Sequence, residues 1–423
     1  MPDRKKLVYD WNRVGAPEPL TRKRVFLNDE TLRDGLQSPT VCDPPIEEKF
    51  HLVHMMEDLG IHMLDIGLPG AGPRAYNDSL AIASEIAKSR LKIRPNCAAR
   101  TTIADISPII EIANKTGIVL DAAMFLGSSL IRQYVENWTI DILLRRTEEA
   151  VKYAVDHKMP VMYVTEDTTR AFPETIKSLY STAINCGARH IVLTDTVGHA
   201  TPDGARALVQ FVIKEIIEPS GAEVTIGWHG HNDRGLSVIN SLAAVQAGAD
   251  VIHGCALGIG ERVGNTPMDQ VLVNLKLLGV IDNDLVKLKE YCDVASRACK
   301  VGIPPGYPVF GSDAFRTATG VHAAAVIKAF KKGDTELANT VYSGVPSHMF
   351  GLDQIIDIGP MSGRSNVIFW LEKRGIEPTE ERVNAIYNKA KQSDRLLTAE
   401  EILEVIGTGP RTQEYLKPGS ILP

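Results

Sequence analysis

The sequence lacks several features that would place it in common functional classes. No apolar run reaches the roughly 18 residues that a transmembrane helix needs, and no apolar core follows the basic start MPDRKKLVYDWNRVG as in a secretory signal. No block of lysine and arginine stands out and the formal net charge is −6, so neither nucleic acid nor a membrane is an expected partner. The six cysteines have no CxxC spacing, which predicts reduced thiols in a cytoplasmic protein rather than a zinc–cysteine site.

The sequence does contain a regular alternation of short apolar runs with longer amphipathic segments through its first 290 or so residues. Candidate strands lie at 24–28, 62–67, 91–98, 117–125, 160–165, 190–195, 223–231 and 250–255. Strands that each precede a helix favour a parallel sheet, and eight such units over roughly 270 residues favour a closed (β/α)8 TIM barrel. The alternative, an open doubly wound sheet, usually carries GxGxxG after its first strand, where this chain has DETLRDG.

The segment from about residue 300 differs in composition, because it is rich in glycine and proline and then helical in pattern. The predicted fold class is therefore α/β, a (β/α)8 TIM barrel followed by a smaller, mostly helical C-terminal appendage. The predicted domains are an N-terminal arm at 1–23, the barrel at 24–290, a linker with a helical subdomain at 291–340, and a second small helical subdomain at 341–423.

Polar side chains collect where the predicted strands end, which is the edge at which barrels of this type carry catalytic groups. The sharpest signal is HGH at 229–231, because side chains at i and i+2 on a strand point to one face and two imidazoles there can share a metal ion. Asp34 is the expected third ligand, since the first and seventh strands lie close together once a barrel closes. The alternative is that His229 and His231 only make hydrogen bonds in the core.

Arg33 lies directly before the predicted carboxylate ligand. A guanidinium in that place suits the stabilisation of a developing oxyanion, for instance on a ketone oxygen, while the alternative is an ion pair of little energetic value at the rim of the barrel. Glu261 and Arg262 are interpreted as a structural pair. Asp29 and Glu30 are interpreted as solvated or structural.

The motifs NDETLRDGLQSP, HGHND and GIGERVGN together resemble the α-isopropylmalate synthase and homocitrate synthase family, metal-dependent acyltransferases of the DRE-TIM metallolyase superfamily. The resemblance runs from about residue 24 to 400 and includes EDTTR, DTVG, GVHAAAVIK and SGRSN. RDGLQ also occurs in related hydroxymethylglutaryl-CoA lyases, but GERVGN and the long segment after the barrel are more similar to the synthases. The chain is most like 2-isopropylmalate synthases without a C-terminal regulatory domain, so leucine feedback through such a domain is not expected.

The resemblance implies a role for each matching residue of the barrel. A divalent metal (Zn, Mn or Mg) would be held by Asp34, His229 and His231, with Asn265 close by. Arg33 would polarise the keto oxygen of a bound substrate.

The resemblance extends to residues nearer the other strands and beyond the barrel. Thr196 is similar to a threonine that binds the substrate carboxylate, and Glu166 occupies the place of an active-site glutamate. His322 resembles a histidine that enters the neighbouring subunit's site for acid–base chemistry, and Tyr342 resembles an accompanying tyrosine. A homodimer with shared active sites is therefore expected. The chain departs from the family at Ala123, where a histidine is frequent, and at VHAAA, where the family has IHxDG.

The implied reaction is a Claisen-type condensation of acetyl-CoA with an α-keto acid. Met124, Met162 and Tyr163 predict an apolar pocket, for which α-ketoisovalerate is the best substrate, giving 2-isopropylmalate and CoA in leucine biosynthesis. Arg100 would favour 2-oxoglutarate if it held a distal carboxylate, although a rim charge is the preferred interpretation. The alternatives are a homocitrate or citramalate synthase, a hydroxymethylglutaryl-CoA-type lyase, and a barrel that binds metal and ligand without turnover.

Overall fold

Each strand that the sequence predicts is present in the computed structural model, which describes residues 7–14 and 24–407. The strands are β1 (Phe26–Asp29), β2 (Met63–Asp65), β3 (Arg94–Arg100), β4 (Asp121–Gly127), β5 (Val161–Glu166), β6 (His190–Asp195), β7 (Thr225–Gly230) and β8 (Val251–Gly254). They hydrogen-bond in chain order, and the parallel pairing of β1 with β8 closes the barrel. The predicted (β/α)8 TIM barrel is confirmed.

Helices alternate with the strands along the barrel. They are α1 (Ile46–Asp58), α2 (Pro73–Ser89), α3 (Ile103–Thr116), α4 (Leu130–Glu136), α5 (Ile140–Asp156), α6 (Pro173–Asn185), α7 (Pro202–Val212), α8 (Glu218–Ser220), α9 (Ser237–Ala247), α10 (Met268–Leu277) and α11 (Leu288–Cys299). In α5, the hydroxyl of Thr139 caps the N-terminus by accepting from the backbone N–H of Ile142. Buried side chains then recur at three- and four-residue spacing, which places one face of this helix against the barrel.

Strand side chains alternate between the barrel interior and the surrounding helices. All six residues of β6 are buried, because one face packs on helices and the other fills the barrel. On β7 the same alternation sends His229 inward while the fully buried Trp228 occupies the helix-facing side. The strand ends therefore deliver alternate residues to one interior opening.

A second compact unit is formed by the described residues of 285–289 and 303–423. Its elements are β9 (Arg316–Thr317), α12 (Gly320–Lys331), α13 (Thr335–Thr340), β10 (Ile355–Ile356), α14 (Arg364–Glu372), α15 (Glu380–Gln392) and α16 (Ala399–Val405). Its main core joins Trp370 and Leu371 of α14 to Ile386 of α15 and Leu403 of α16. The predicted smaller, mostly helical appendage is confirmed.

The other compact unit contains the barrel and comprises the described parts of residues 1–284 and 290–302. The predicted subdivision at 290 and 340 stays a prediction. Of the predicted arm and tail, residues 1–6, 15–23 and 408–423 lie outside the described residues. Among the helices described, none combines the length and apolar character needed to cross a membrane.

Candidate active site

A cavity of about 300 Å³ opens where the barrel strands end. Its position follows from the fold, since the loops after parallel strands all meet at one end of a TIM barrel. The cavity is lined by six of the residues that the sequence singled out, namely Arg33, Asp34, Glu166, Thr196, His229 and His231. The structure thus brings together side chains from four separate strand ends.

Asp34, His229 and His231 form one buried cluster whose ligand atoms all lie within 4.8 Å of one another. Oδ2 of Asp34 is 3.5 Å from Nε2 of His229 and 3.7 Å from Nε2 of His231. Burial, with a further contribution from the neighbouring His229, lowers the pKa of His231 to about 4. Its ring is therefore neutral near pH 7, which is the form that binds a metal ion.

Asn265 stands beside this cluster because its backbone forms an isolated bridge with His231. Gly264, with φ of +101°, makes the turn before it, and a Cβ there would collide with the carbonyl oxygen of Gly258. The side-chain oxygen of Asn265 is buried and has no hydrogen-bond partner among the described residues. One carboxylate, two imidazoles and an unsatisfied amide oxygen are a donor set that fits a divalent ion such as Zn²⁺ or Mn²⁺.

Arg33 reaches the same cluster with its guanidinium. Its Nε donates to Asp65 at 2.7 Å, and its terminal nitrogens lie 3.4 Å from both Asp34 and Glu30. Burial acts to lower the pKa of Arg33, but the carboxylates of Asp65, Asp34 and Glu30 outweigh it and raise that pKa above its ordinary value. Arg33 is therefore a permanently charged group held at the cavity wall, not a rim ion pair in solvent.

Glu30 also lines the cavity, although the sequence pattern indicated only a solvated or structural residue. Its Oε2 accepts from Nδ1 of His229 at 2.6 Å, and its Oε1 lies 2.9 Å from Nδ1 of His253. Burial acts to raise the pKa of Glu30, but the two imidazoles outweigh it and hold that pKa well below its ordinary value. Asp29, the preceding residue, is buried on the other side of β1, where it accepts from the Tyr291 hydroxyl.

Thr196 and Glu166 occupy adjoining strand ends. The hydroxyl of Thr196 accepts from the backbone N–H of Asp167 at 2.8 Å, which ties the end of β6 to that of β5. Glu166 is partly buried, with Arg132 at 3.8 Å, and burial raises the pKa of its carboxyl above the ordinary value. Both side chains face the cavity and are available to a bound molecule.

One wall of the cavity is apolar and includes Ala98, Ala123, Phe125, Met162, Val164 and Val192, which come from the neighbouring strands β3 to β6. Met162 lines the cavity as predicted, but the prediction is wrong for Met124 and Tyr163, which do not line it. Both are fully buried, and each lies one position along its strand from a residue that lines the cavity. The Tyr163 hydroxyl bonds to Thr147 on α5 at 2.7 Å. Strand alternation turns them towards the helices.

Of two further arginines, one agrees with the prediction and the other has a different partner. Arg100 pairs with Asp105 at 2.7 Å and is largely exposed, which fits the preferred interpretation of a rim charge. Arg262 was expected to pair with Glu261, but its guanidinium bonds to Asp233 at 2.8 Å and to the carbonyl of Thr196 at 2.7 Å. It therefore links the loop after β8 to those after β6 and β7.

His322 and Tyr342 belong to the second compact unit. Their rings stack with centroids 4.2 Å apart, and both side chains are exposed. The structure thus brings these two predicted residues together with one another.

A TIM barrel with a metal-competent cluster and a fixed guanidinium at its strand ends defines a class of barrel whose site can hold a divalent ion beside a permanent positive charge. A family model described as HMGL-like matches residues 24–297, which is most of the chain. The chain belongs to this HMGL-like family.

Similar proteins include several synthases. The chain is 32% identical over 369 residues to a homocitrate synthase AksA from Methanopyrus kandleri, covering 87% of each chain. It is 32% identical to a probable 2-isopropylmalate synthase of the same organism, covering 87% of this chain and 70% of that one. A crystal structure of hydroxymethylglutaryl-CoA lyase from Pseudomonas aeruginosa superposes with a TM-score of 0.56 at 21% identity, covering 67% of this chain and 95% of that chain. This last likeness concerns the fold alone.

Proposed function

We propose that the protein condenses acetyl-CoA with an α-keto acid and then hydrolyses the thioester, as a 2-isopropylmalate synthase does. The observation that carries the proposal is the joint placement of Asp34, His229 and His231 with the charged Arg33 around one cavity. Membership of the HMGL-like family and relatives named as homocitrate and 2-isopropylmalate synthases support it.

Asp34, His229, His231 and Asn265 are the residues that would hold the divalent ion. When bound, such an ion supplies Lewis acidity to a keto acid in the cavity. Arg33 lies next to this group and stabilises negative charge that develops on the ketone oxygen.

The residues of the chain divide the remaining tasks. Thr196 offers its hydroxyl to the carboxylate of the keto acid, and Glu166 lies beside it at the end of β5. His322 takes a proton from the methyl group of acetyl-CoA, with Tyr342 stacked against it. The carbanion attacks the ketone carbon, a carbon–carbon bond forms, and the alkoxide takes up a proton. Water then cleaves the thioester, which releases the CoA thiol and leaves a second carboxylate.

The apolar wall favours a keto acid with a branched apolar side chain, with α-ketoisovalerate as the first choice. Within the part of the chain that the structure describes, the arginines lining the cavity are Arg33 and Arg262, and both already bind carboxylates. The second carboxylate of 2-oxoglutarate would instead meet Ala123, Met162 or Val192, where desolvation is costly. A homocitrate synthase is therefore the less favoured alternative, and a citramalate synthase acting on pyruvate would leave part of the pocket empty.

A thiol-release assay tests the proposal. Metal-loaded protein receives acetyl-CoA with α-ketoisovalerate, pyruvate or 2-oxoglutarate, and a sample without keto acid measures background hydrolysis. Asp34→Asn removes a ligand charge, and Asp203→Asn is the matched control, because Asp203 is 97% exposed on α7. Release that depends on α-ketoisovalerate and is lost only in Asp34→Asn is expected.

Other outcomes assign the alternatives. Higher kcat/KM with pyruvate or 2-oxoglutarate would reassign the substrate. Cleavage of hydroxymethylglutaryl-CoA without any condensation would identify a lyase. No turnover of any of these compounds by metal-loaded protein would leave a barrel that binds without catalysis.

A further inference from the structure

Glu30 occupies a central position beneath the candidate metal cluster. It directly follows β1, where its backbone N–H donates to the carbonyl of Gly254 at 2.8 Å. Its side chain points into the barrel and the residue is only 4% exposed. Three strand ends meet at this carboxylate, because His229 comes from β7 and His253 from β8.

The contact with His229 determines which ring nitrogen of that imidazole is left to bind a metal ion. Nδ1 is taken up at 2.6 Å by Oε2 of Glu30, while Nε2 faces Oδ2 of Asp34 at 3.5 Å. A hydrogen bond from Nδ1–H to a carboxylate fixes the tautomer whose lone pair is on Nε2, and it also increases the basicity of that nitrogen. The lone pair is then directed into the cluster of Asp34, His229 and His231.

We propose that Glu30 is a positioning residue that orients His229 and strengthens its binding to the divalent ion. The proposal rests on the metal site put forward under the proposed function. Arg33, 3.4 Å from Oε1 of Glu30, is held by the same carboxylate. One side chain thus sets the geometry of a metal ligand and of the oxyanion-stabilising guanidinium.

A purely structural role for Glu30 has a different consequence. A buried carboxylate between two imidazoles also stabilises the fold, and its loss would lower the melting temperature of metal-free protein. That role does not by itself weaken the affinity of correctly folded protein for an ion. Metal affinity, measured apart from stability and activity, therefore separates the two.

The test uses three variants of the metal-free protein. Glu30→Gln keeps the shape of the side chain and removes its charge, and Glu30→Asp keeps the charge but withdraws it by one methylene. Asp29→Asn is the matched control, because Asp29 is the adjacent buried carboxylate at the end of β1 and bonds to Thr31 and Tyr291 instead of the cluster. Zn²⁺ affinity is measured by competition with a chromophoric chelator, and the visible spectrum of bound Co²⁺ reports ligand geometry.

The expected result is a loss of about 10- to 100-fold in Zn²⁺ affinity for Glu30→Gln, a smaller loss for Glu30→Asp, and parental affinity for Asp29→Asn. The Co²⁺ spectrum should change in the two Glu30 variants only. If folded Glu30→Gln binds within twofold of the parent, the positioning role is wrong while the proposed function stands. If the parent itself binds no ion, the metal site fails and this role with it. If Glu30→Gln does not fold, the Zn²⁺ affinity of Glu30→Asp is compared with that of the parent in the same way.

Discussion

The imidazole of His322 stacks on the phenol ring of Tyr342, with centroids 4.2 Å apart and ring planes inclined by 25°. His322 lies in the first turn of α12, and Tyr342 follows α13 in the same unit. Both side chains are exposed, so the pair is accessible to a reacting molecule or to another chain. This arrangement supports the proposal that the two residues act together.

A mixing experiment tests whether His322 serves the barrel of a partner chain. His322→Ala and Asp34→Ala should each be nearly inactive alone, because each removes a different group from the site. If sites are shared, a mixed dimer contains one site with both residues intact. Random pairing should then restore up to about a quarter of normal activity. Absence of recovery after verified subunit exchange would show that each chain uses its own His322.

Metal removal should abolish activity, because the site then lacks the Lewis acidity that an ion held by Asp34, His229 and His231 would supply to the keto acid. Dialysis against a chelator is followed by a metal assay, and then by addition of Zn²⁺, Mn²⁺ or Mg²⁺. We expect at least one of these ions to restore turnover in the parent. The Asp34→Asn variant should stay inactive at ion concentrations that restore the parent. Full activity in verified metal-free protein would contradict the metal site.

Arg33→Lys should lower kcat by about 10²- to 10³-fold while changing KM much less. Lysine lacks the planar guanidinium, which can bond to Asp65 and at the same time direct an N–H into the cavity. Arg100→Lys is the control, since Arg100 also pairs with an aspartate but lies outside the cavity. Steady-state kinetics with varied keto acid separates kcat from KM. Near-normal kcat in Arg33→Lys would return this residue to a structural role.

Met162→Ala should shift substrate preference towards larger keto acids, because it shortens a side chain of the apolar wall and so enlarges the cavity. We expect kcat/KM for α-ketoisovalerate to fall by about 10- to 200-fold relative to a substrate with one or two more methylenes. Met124→Ala on the neighbouring strand is the control. It should destabilise the protein by about 2–5 kcal/mol without changing this ratio, since Met124 is buried outside the cavity. If the ratio of kcat/KM for the two keto acids were the same in both variants, the side chain of the substrate would not contact Met162.

Asp29 should make stability depend on pH. Burial raises its pKa from 3.8 to about 6 in the folded protein. The folded state therefore binds a proton more tightly than the unfolded state, and stability is lost as pH rises through about 6. Relative to Asp29→Asn, the parent should lose up to about 3 kcal/mol in free energy of unfolding between about pH 4 and pH 7. Urea unfolding at several pH values measures this difference. If the free energy of unfolding varied with pH in the same way in the parent and in Asp29→Asn, the prediction would be wrong.

The sequence was sufficient to predict the strands and the barrel, because apolar runs separated by amphipathic helices leave few alternative topologies. It did not reveal which face of a strand lines the cavity. In β4 and β5 both faces are buried, so Met124 and Tyr163 look as apolar as Met162. Only the three-dimensional alternation separates residues that contact substrate from residues that contact helices.

The candidate site was predictable where its residues form local motifs, as in RDG and HGH, and not where a role arises from tertiary contact. Glu30 meets residues that are 199 and 223 positions away in the chain, at His229 and His253. The partner of Arg262 was likewise mistaken, because Asp233 approaches it from another loop. Asp65 was missed, although its place at the end of β2 was a usable signal.

The pairing of β1 with β8 has a consequence for how the protein is made. Asp34 emerges early from the ribosome, whereas His229 and His231 follow about two hundred residues later and β8 later still. A nascent chain that ends before β7 carries the carboxylate without either imidazole. Under the proposed function, an ion can meet all three ligands only after β7 has been made, and β1 pairs with β8 later still.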